Sequence, residues 1–182
     1  MKKQGKPELW TIGHSNRSLE EFAALLEAHG IEAVADVRSI PASRHNPQFA
    51  QKALERALKR RGIEYRWLEA LGGRRRARKD SPNLGWHNAS FRGYADYMQG
   101  LEFAAGLAEL EKYAKGKRVA IMCAEAVPWR CHRSMIGDAL LARGWRVLDI
   151  TSASAAKPHK KTPFLKIRRG ALSYPGPQAP LW

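Results

Sequence analysis

The stretch VAIMCAEAVPWRCHR, residues 119–133, decides the fold expected of this chain of 182 residues. Its first four residues are apolar without interruption, which is typical of a central parallel strand that is buried on both faces. From about Cys131 to Ala142 the apolar residues return at helical spacing, and Gly144 marks the end of the predicted helix. A strand that passes through a short loop into a helix is the repeating unit of a parallel α/β fold.

The same alternation continues on both sides of this stretch. Further strands are predicted at residues 9–12, 31–37, 63–68 and 145–150, and further helices at 18–30, 47–62 and, in two pieces, 91–113. The first of these helices begins with Ser18 and Glu21, which can form a capping box. The sequence therefore predicts an α/β fold with an open, mostly parallel sheet and helices on both faces, in three layers. Residues 1–152 are expected to form this single domain, and residues 153–182 an irregular, basic C-terminal arm.

The chain is strongly basic, with 32 Lys and Arg against 17 Asp and Glu and a formal net charge of +15. Such a field attracts polyanions, so nucleic acid or a nucleotide is the expected partner, although a basic surface can also serve solubility alone. No apolar run is long enough to span a membrane and no secretory signal is visible, which predicts a cytoplasmic protein with reduced thiols. Nothing in the sequence indicates an oligomeric state or a cofactor.

Polar side chains follow three of the predicted strands at the point where each strand ends. They are His14 and Ser15 after the first strand, Asp36, Arg38 and Ser43 after the second, and Cys123 and Glu125 after the fourth. In open parallel sheets the carboxyl ends of the strands form the ligand crevice, where the strand order reverses. We therefore expect these residues to converge on one site.

The start of the helix after the fourth strand carries Cys131, His132 and Arg133. Backbone amides at a helix N-terminus and a neighbouring cation favour a thiolate, which predicts a low pKa for Cys131. The same amides, together with Arg133, are suited to binding an anion. Glu125 and His132 are candidate general acids or bases. The candidate catalytic residues are Cys123, Glu125, Cys131, His132, His14 and Asp36, and the candidate substrate or phosphate ligands are Ser15, Arg38, Ser43, Arg74 and Arg133.

Two other chemistries fit the same residue types. Zinc has four plausible ligands here, but the spacing is not that of a zinc finger, and the adjacent Cys131 and His132 are not expected to face one ion, so no metal is predicted. The two cysteines could instead form a redox pair. A phosphatase-type or rhodanese-type loop is disfavoured because Trp129 stands six residues after Cys123 and Pro128 lacks an amide donor.

A dense run of positive charge lies at residues 74–79. Arginines pair with phosphates and aromatic side chains stack on bases, and Trp67 and Trp86 lie nearby in the sequence. The candidate nucleic-acid ligands are Arg74, Arg75, Arg76, Arg78 and Lys79. The alternative is a solvated loop without a ligand.

Taken in order, the motifs form a recognisable set: TIGHS at 11–15, DVR at 36–38, LGGR at 71–74, CAE at 123–125 and CHR at 131–133. Over about residues 8–160 they resemble the domain of unknown function family 488. The resemblance implies a small α/β protein whose site lies in the CAE and CHR motifs, and it implies no activity. The first hypothesis is therefore an enzyme that acts on nucleic acid or a phosphorylated nucleotide through a cysteine. A non-catalytic nucleic-acid-binding protein and a thiol redox or metal-binding protein are the alternatives.

Overall fold

The computed structural model describes residues 6–177, and it has the predicted alternation of strands and helices. The strands are β1 Glu8–Gly13, β2 Ala33–Asp36, β3 Glu64–Trp67, β4 Val119–Cys123, β5 Arg146–Ile150, β6 Lys157–Pro158, β7 Lys166–Arg168 and β8 Ala171–Ser173. The α-helices are α1 Leu19–Ala28, α2 Gln51–Lys59, α3 Ala89–Tyr97, α4 Leu101–Tyr113 and α5 Arg133–Ala142. Short 3-10 turns occur at Pro47–Phe49, Glu69–Leu71 and Pro128–Arg130.

Six strands form one sheet in the order β3-β2-β4-β1-β5-β6, and β7 and β8 form a separate hairpin. The first five strands of this order are parallel, and β6 is antiparallel to β5. The chain leaves β1 towards one edge of the sheet and leaves the neighbouring β4 towards the other. The order therefore reverses between β1 and β4, where ligands bind in open parallel sheets.

The two faces of the sheet are covered by different helices. One apolar core contains Phe22 and Leu26 of α1 and Leu54 and Leu58 of α2. The other core contains buried residues of α3, α4 and α5. Every residue of β4 is buried, as its apolar sequence predicts for a central strand. The predicted α/β fold with helices on both faces of a mostly parallel sheet is confirmed.

The predicted start of α1 is confirmed, whereas α2 and α5 start later than predicted. The capping box of α1 is present, with the Ser18 amide donating to Glu21 over 2.8 Å and the Glu21 amide donating to the Ser18 hydroxyl over 3.1 Å. Pro47 opens a 3-10 turn and α2 starts only at Gln51. Likewise α5 starts at Arg133, because Cys131 closes the preceding 3-10 turn with extended backbone.

The C-terminal segment is mostly irregular, yet its described part packs on the domain. Leu165 and Tyr174 are buried in the core with α3–α5, and His159 is buried against β5. The Tyr174 amide donates to the Asn83 side chain over 2.8 Å. The division into a domain at 1–152 and an arm stays a prediction. Among the described helices none has the length and apolar character needed to cross a membrane.

Candidate functional site

A cleft of about 670 Å³ lies at the carboxyl ends of β1, β2 and β4. The predicted site residues that line it are His14, Ser15, Arg38, Ser43, Arg74, Cys123, Glu125, Cys131 and His132. Asp36 and Arg133 are buried and do not line it. The structure thus brings together side chains that are more than 100 positions apart in sequence, at the reversal of strand order between β1 and β4.

The centre of the cleft is a compact group of two thiols and one imidazole. His132 Nδ1 lies 3.8 Å from the Cys123 sulfur and 3.7 Å from the Cys131 sulfur. On the other side of the ring, Nε2 lies 2.8 Å from the Val37 carbonyl oxygen. A carbonyl only accepts, so Nε2 carries a proton, and Nδ1 is the ring nitrogen that faces both sulfurs. His132 is therefore placed to accept a thiol proton.

Two glycines allow this close packing. Gly73 lies so near His132 that an added Cβ would collide with the imidazole ring. Gly13, the last residue of β1, similarly lies against the backbone carbonyl of Glu125. The glycines of the LGGR and TIGHS motifs thus let the backbone approach the thiol cluster.

The two thiols have opposite pKa shifts. The hydrogen bond from the Cys131 thiol lowers the pKa of Cys123 well below its usual range, and His132 and Arg133 add to the effect. Burial raises the pKa of Cys131 well above its usual range. The prediction that Cys131 is the low-pKa thiol is therefore wrong. Cys131 lies two residues before α5, and the Arg133 amide reaches its sulfur at 3.5 Å.

Asp36 positions Arg38 and does not face the cleft. The Asp36 carboxylate is fully buried and accepts hydrogen bonds from Arg38 Nε at 2.9 Å, from its second terminal nitrogen at 2.6 Å and from the Tyr65 hydroxyl at 2.7 Å. The first terminal nitrogen of Arg38 is left towards the cleft, 3.5 Å from His14 Nε2. The predicted catalytic role of Asp36 is thus replaced by orientation of a cation.

His14 is held as a neutral ring. It stacks on Phe49 with centroids 4.3 Å apart, and its Nδ1 donates to the Ser15 carbonyl oxygen over 2.8 Å. Burial lowers the pKa of His14. Ser15 itself has a left-handed backbone with φ of 50°, an uncommon conformation for a residue other than glycine and one that recurs at functional sites. Neutral His14 presents the lone pair of Nε2 to Arg38.

Arg133 differs most from its predicted role. Its two terminal nitrogens donate to the carbonyl oxygens of Glu125 and Ala126 over 2.5 and 3.0 Å, and the side chain is 1% exposed. It therefore fixes the loop after β4 and is not placed to bind a phosphate. Arg130, which the sequence analysis did not single out, lines the cleft and is exposed. Its place directly before Cys131 was the only available signal.

The basic run at residues 74–79 is only partly free. The Arg75 guanidinium lies 3.9 Å from the centre of the Tyr97 ring, and Arg78 contacts Asp80 at 3.6 Å. Arg74, Arg76 and Lys79 are exposed, and Arg74 lines the cleft. Trp86 packs against Phe91 and Phe164, so its ring is not free for a base. Trp67 is half-buried and donates to the Arg38 carbonyl oxygen. Trp129, next to Arg130, is 68% exposed.

The prediction that the adjacent Cys131 and His132 do not face one ion is also wrong. The adjacent Cys131 and His132 do point to one place, because the sulfur atoms of Cys123 and Cys131 and His132 Nδ1 all lie within 4.8 Å of one another. Among residues 6–177 this is the one group of three such side chains with metal-ligand spacing.

The comparison with known proteins identifies a family. A family model described as "Domain of unknown function DUF488" matches residues 18–140, about two thirds of the chain. No curated protein and no solved structure matches the chain.

Proposed function

Because this chain belongs to the DUF488 family, whose description names no activity, we propose its function from the cleft: it is an enzyme that acts on nucleic acid or a phosphorylated nucleotide, with Cys123 as nucleophile. One observation carries the proposal. A thiol with a lowered pKa and a histidine base share a cleft with three arginines, Arg38, Arg74 and Arg130. A nucleophile next to a base, with cations nearby to bind the substrate, is the arrangement of covalent catalysis.

The first step uses the cluster as it stands. His132 Nδ1 accepts the Cys123 proton while Nε2 keeps its hydrogen bond to Val37. The Cys123 sulfur forms a bond to the electrophilic atom of the substrate, and the bond from that atom to its leaving group breaks. The leaving group takes up the proton that His132 received, with Glu125, exposed in the same cleft, as the carboxylate that relays it. Cys131 donates a hydrogen bond that stabilises the Cys123 thiolate.

The arginines supply recognition of the phosphate. Arg38 is already fixed by Asp36, so the conformational cost of orienting its free nitrogen is low. Arg74 and Arg130 lie at the exposed rim of the cleft, where charge steers an anion inwards. The formal charge of +15 favours the same class of substrate.

Alkylation by iodoacetamide across a pH range tests the proposal. Trypsin cleaves after Arg130, so Cys123 and Cys131 fall on separate peptides and are quantified separately by mass spectrometry. We expect Cys123 to react with a midpoint well below about 8.5, the usual pKa of a thiol, and Cys131 to react only at higher pH. A short oligonucleotide should slow the reaction of Cys123, since it covers the cleft.

Two variants on one loop provide the matched comparison. Arg74→Ala removes a cation from the cleft and should weaken protection by the oligonucleotide. Arg76→Ala removes an exposed cation of the same loop that does not line the cleft, and protection should persist. If Cys123 reacts no faster than a free thiol, or the oligonucleotide protects neither cysteine, the nucleophile assignment is rejected.

Nucleic-acid binding without catalysis is the second candidate function. It is favoured by the exposed cations Arg74, Arg76, Lys79 and Arg130 and by the exposed aromatic ring of Trp129. In that case Cys123→Ser keeps full affinity, and each lost phosphate contact lowers the salt slope of binding by about one. Binding of the oligonucleotide without protection of Cys123 would favour this candidate.

A further inference from the structure

We infer that Cys123, Cys131 and His132 also form a binding site for a zinc-class divalent ion, open to the cleft at its fourth position. This inference is independent of the proposed function, because it needs only the positions of three donor atoms. Two thiolates and one imidazole are a donor set that zinc uses in proteins. Zinc sites with three protein ligands keep a water or substrate in the fourth position.

The distances between the donors are close to those that a tetrahedral ion requires. Zinc-to-sulfur bonds of about 2.3 Å and zinc-to-nitrogen bonds of about 2.0 Å place a sulfur and a nitrogen ligand about 3.5 Å apart in a tetrahedral site. The observed separations of His132 Nδ1 from the two sulfurs are 3.8 and 3.7 Å. All three donors lie within 4.8 Å of one another. The two nitrogen-to-sulfur separations therefore need to change by only a few tenths of an ångström.

The surroundings of the donors fit a bound ion. Histidines that bind a metal usually donate their other ring proton to a carbonyl or carboxylate, and His132 Nε2 donates to the Val37 carbonyl oxygen. The Arg133 amide points at the Cys131 sulfur, where it stabilises a thiolate. Both cysteines are more than nine-tenths buried yet line the cleft, which leaves an entry path.

A bound ion prevents Cys123 from acting as a nucleophile. When the ion binds, both cysteines become thiolate ligands, and the protons that they still carry pass to the solvent. The Cys123 sulfur then coordinates the ion, and its lone pair is not free to attack a substrate. Zinc binding should consequently block alkylation of both cysteines, and a chelator should restore it.

Titration of the reduced, full-length protein with Co²⁺, a coloured substitute for Zn²⁺, tests the site. We expect one ion per chain with a sulfur-to-cobalt charge-transfer band, displacement of that band by Zn²⁺, and protection of both cysteines from iodoacetamide. His132→Asn should weaken binding by at least about 100-fold, more than the loss of an outer partner of a ligand. His45→Asn, an exposed histidine near the cleft, is the matched control and should leave binding unchanged.

The outcomes separate the two proposals. Absence of the charge-transfer band from the wild-type protein overturns the metal site and leaves the nucleophile untouched. Equal affinity in His132→Asn and wild type overturns the assigned ligand set. A site that binds the ion as predicted, in a protein whose metal-free Cys123 reacts like a free thiol, upholds the metal site and rejects the proposed nucleophile. The protection assay on the wild type needs no substitution, so it also stands if a variant fails to fold.

Discussion

His159 should make the stability of this protein depend on pH in the alkaline range. The ring is buried between two carboxylates, with Nδ1 3.1 Å from Asp149 and Nε2 3.5 Å from Asp138. Burial alone would lower its pKa, but contacts with Asp138 and Asp149 outweigh burial and raise the pKa of His159 to about 9. The charged ring thus ties the chain after β6 to α5 and β5.

The size of the effect follows from the difference between the two states. The pKa is about 9 in the folded protein and 6.5 in the unfolded chain. Each pH unit of difference corresponds to about 1.4 kcal/mol, so the charged ring contributes about 3 kcal/mol. The folded pKa is the higher one, so this stability is complete below pH 6.5 and is lost as the pH rises from 6.5 through 9.

Urea unfolding of the wild type and of His159→Gln at several values between pH 6 and pH 10 measures this contribution. The difference in the free energy of unfolding between the two proteins should be largest at pH 6 and should shrink by about 3 kcal/mol at the alkaline end. The comparison cancels groups common to both proteins, including the two thiols. His87→Gln, at an exposed histidine, should follow the wild type. A difference that stays constant with pH would show that His159 is not charged in the fold.

Two further substitutions test the site architecture. Gly73→Ala places a Cβ against the His132 ring, so the ring must shift and its contact with Cys123 is disturbed. We expect alkylation of Cys123 to shift to higher pH. Gly100→Ala, whose Cβ would lie against Tyr97 and not against His132, should not change the alkylation. Asp36→Asn leaves the buried Arg38 guanidinium without its charge partner. Loss of one member of a buried pair should lower the free energy of unfolding by about 3–5 kcal/mol, which urea unfolding at pH 7 will measure. A decrease below about 1 kcal/mol would contradict the pairing.

The sheet and its order of elements were predictable from local patterns. The unbroken apolar run of β4 and the capping box of α1 each involve only residues that are close together in the sequence. The sequence alone therefore indicates them. The convergence of strand ends also followed, because it is a property of parallel sheets. The packing of the C-terminal segment did not follow. Its proline and basic composition suggested an arm, but Tyr174 is anchored by Asn83, 91 positions earlier, and no local pattern reports such a partner.

The roles of the arginines show where prediction from sequence ends. Arg38 and Arg133 both stand next to a strand end or helix start, and both were expected to bind phosphate. The orientation of each guanidinium group is set by hydrogen-bond acceptors that come together only in the folded protein. The Asp36 carboxylate engages one edge of Arg38 and leaves a nitrogen for the cleft, whereas the carbonyls of residues 125 and 126 engage the terminal nitrogens of Arg133. The sequence indicates that an arginine lies near a site. Whether its guanidinium group can bind a ligand or instead stabilises the protein's own loop depends on the hydrogen-bond acceptors that surround it in the fold.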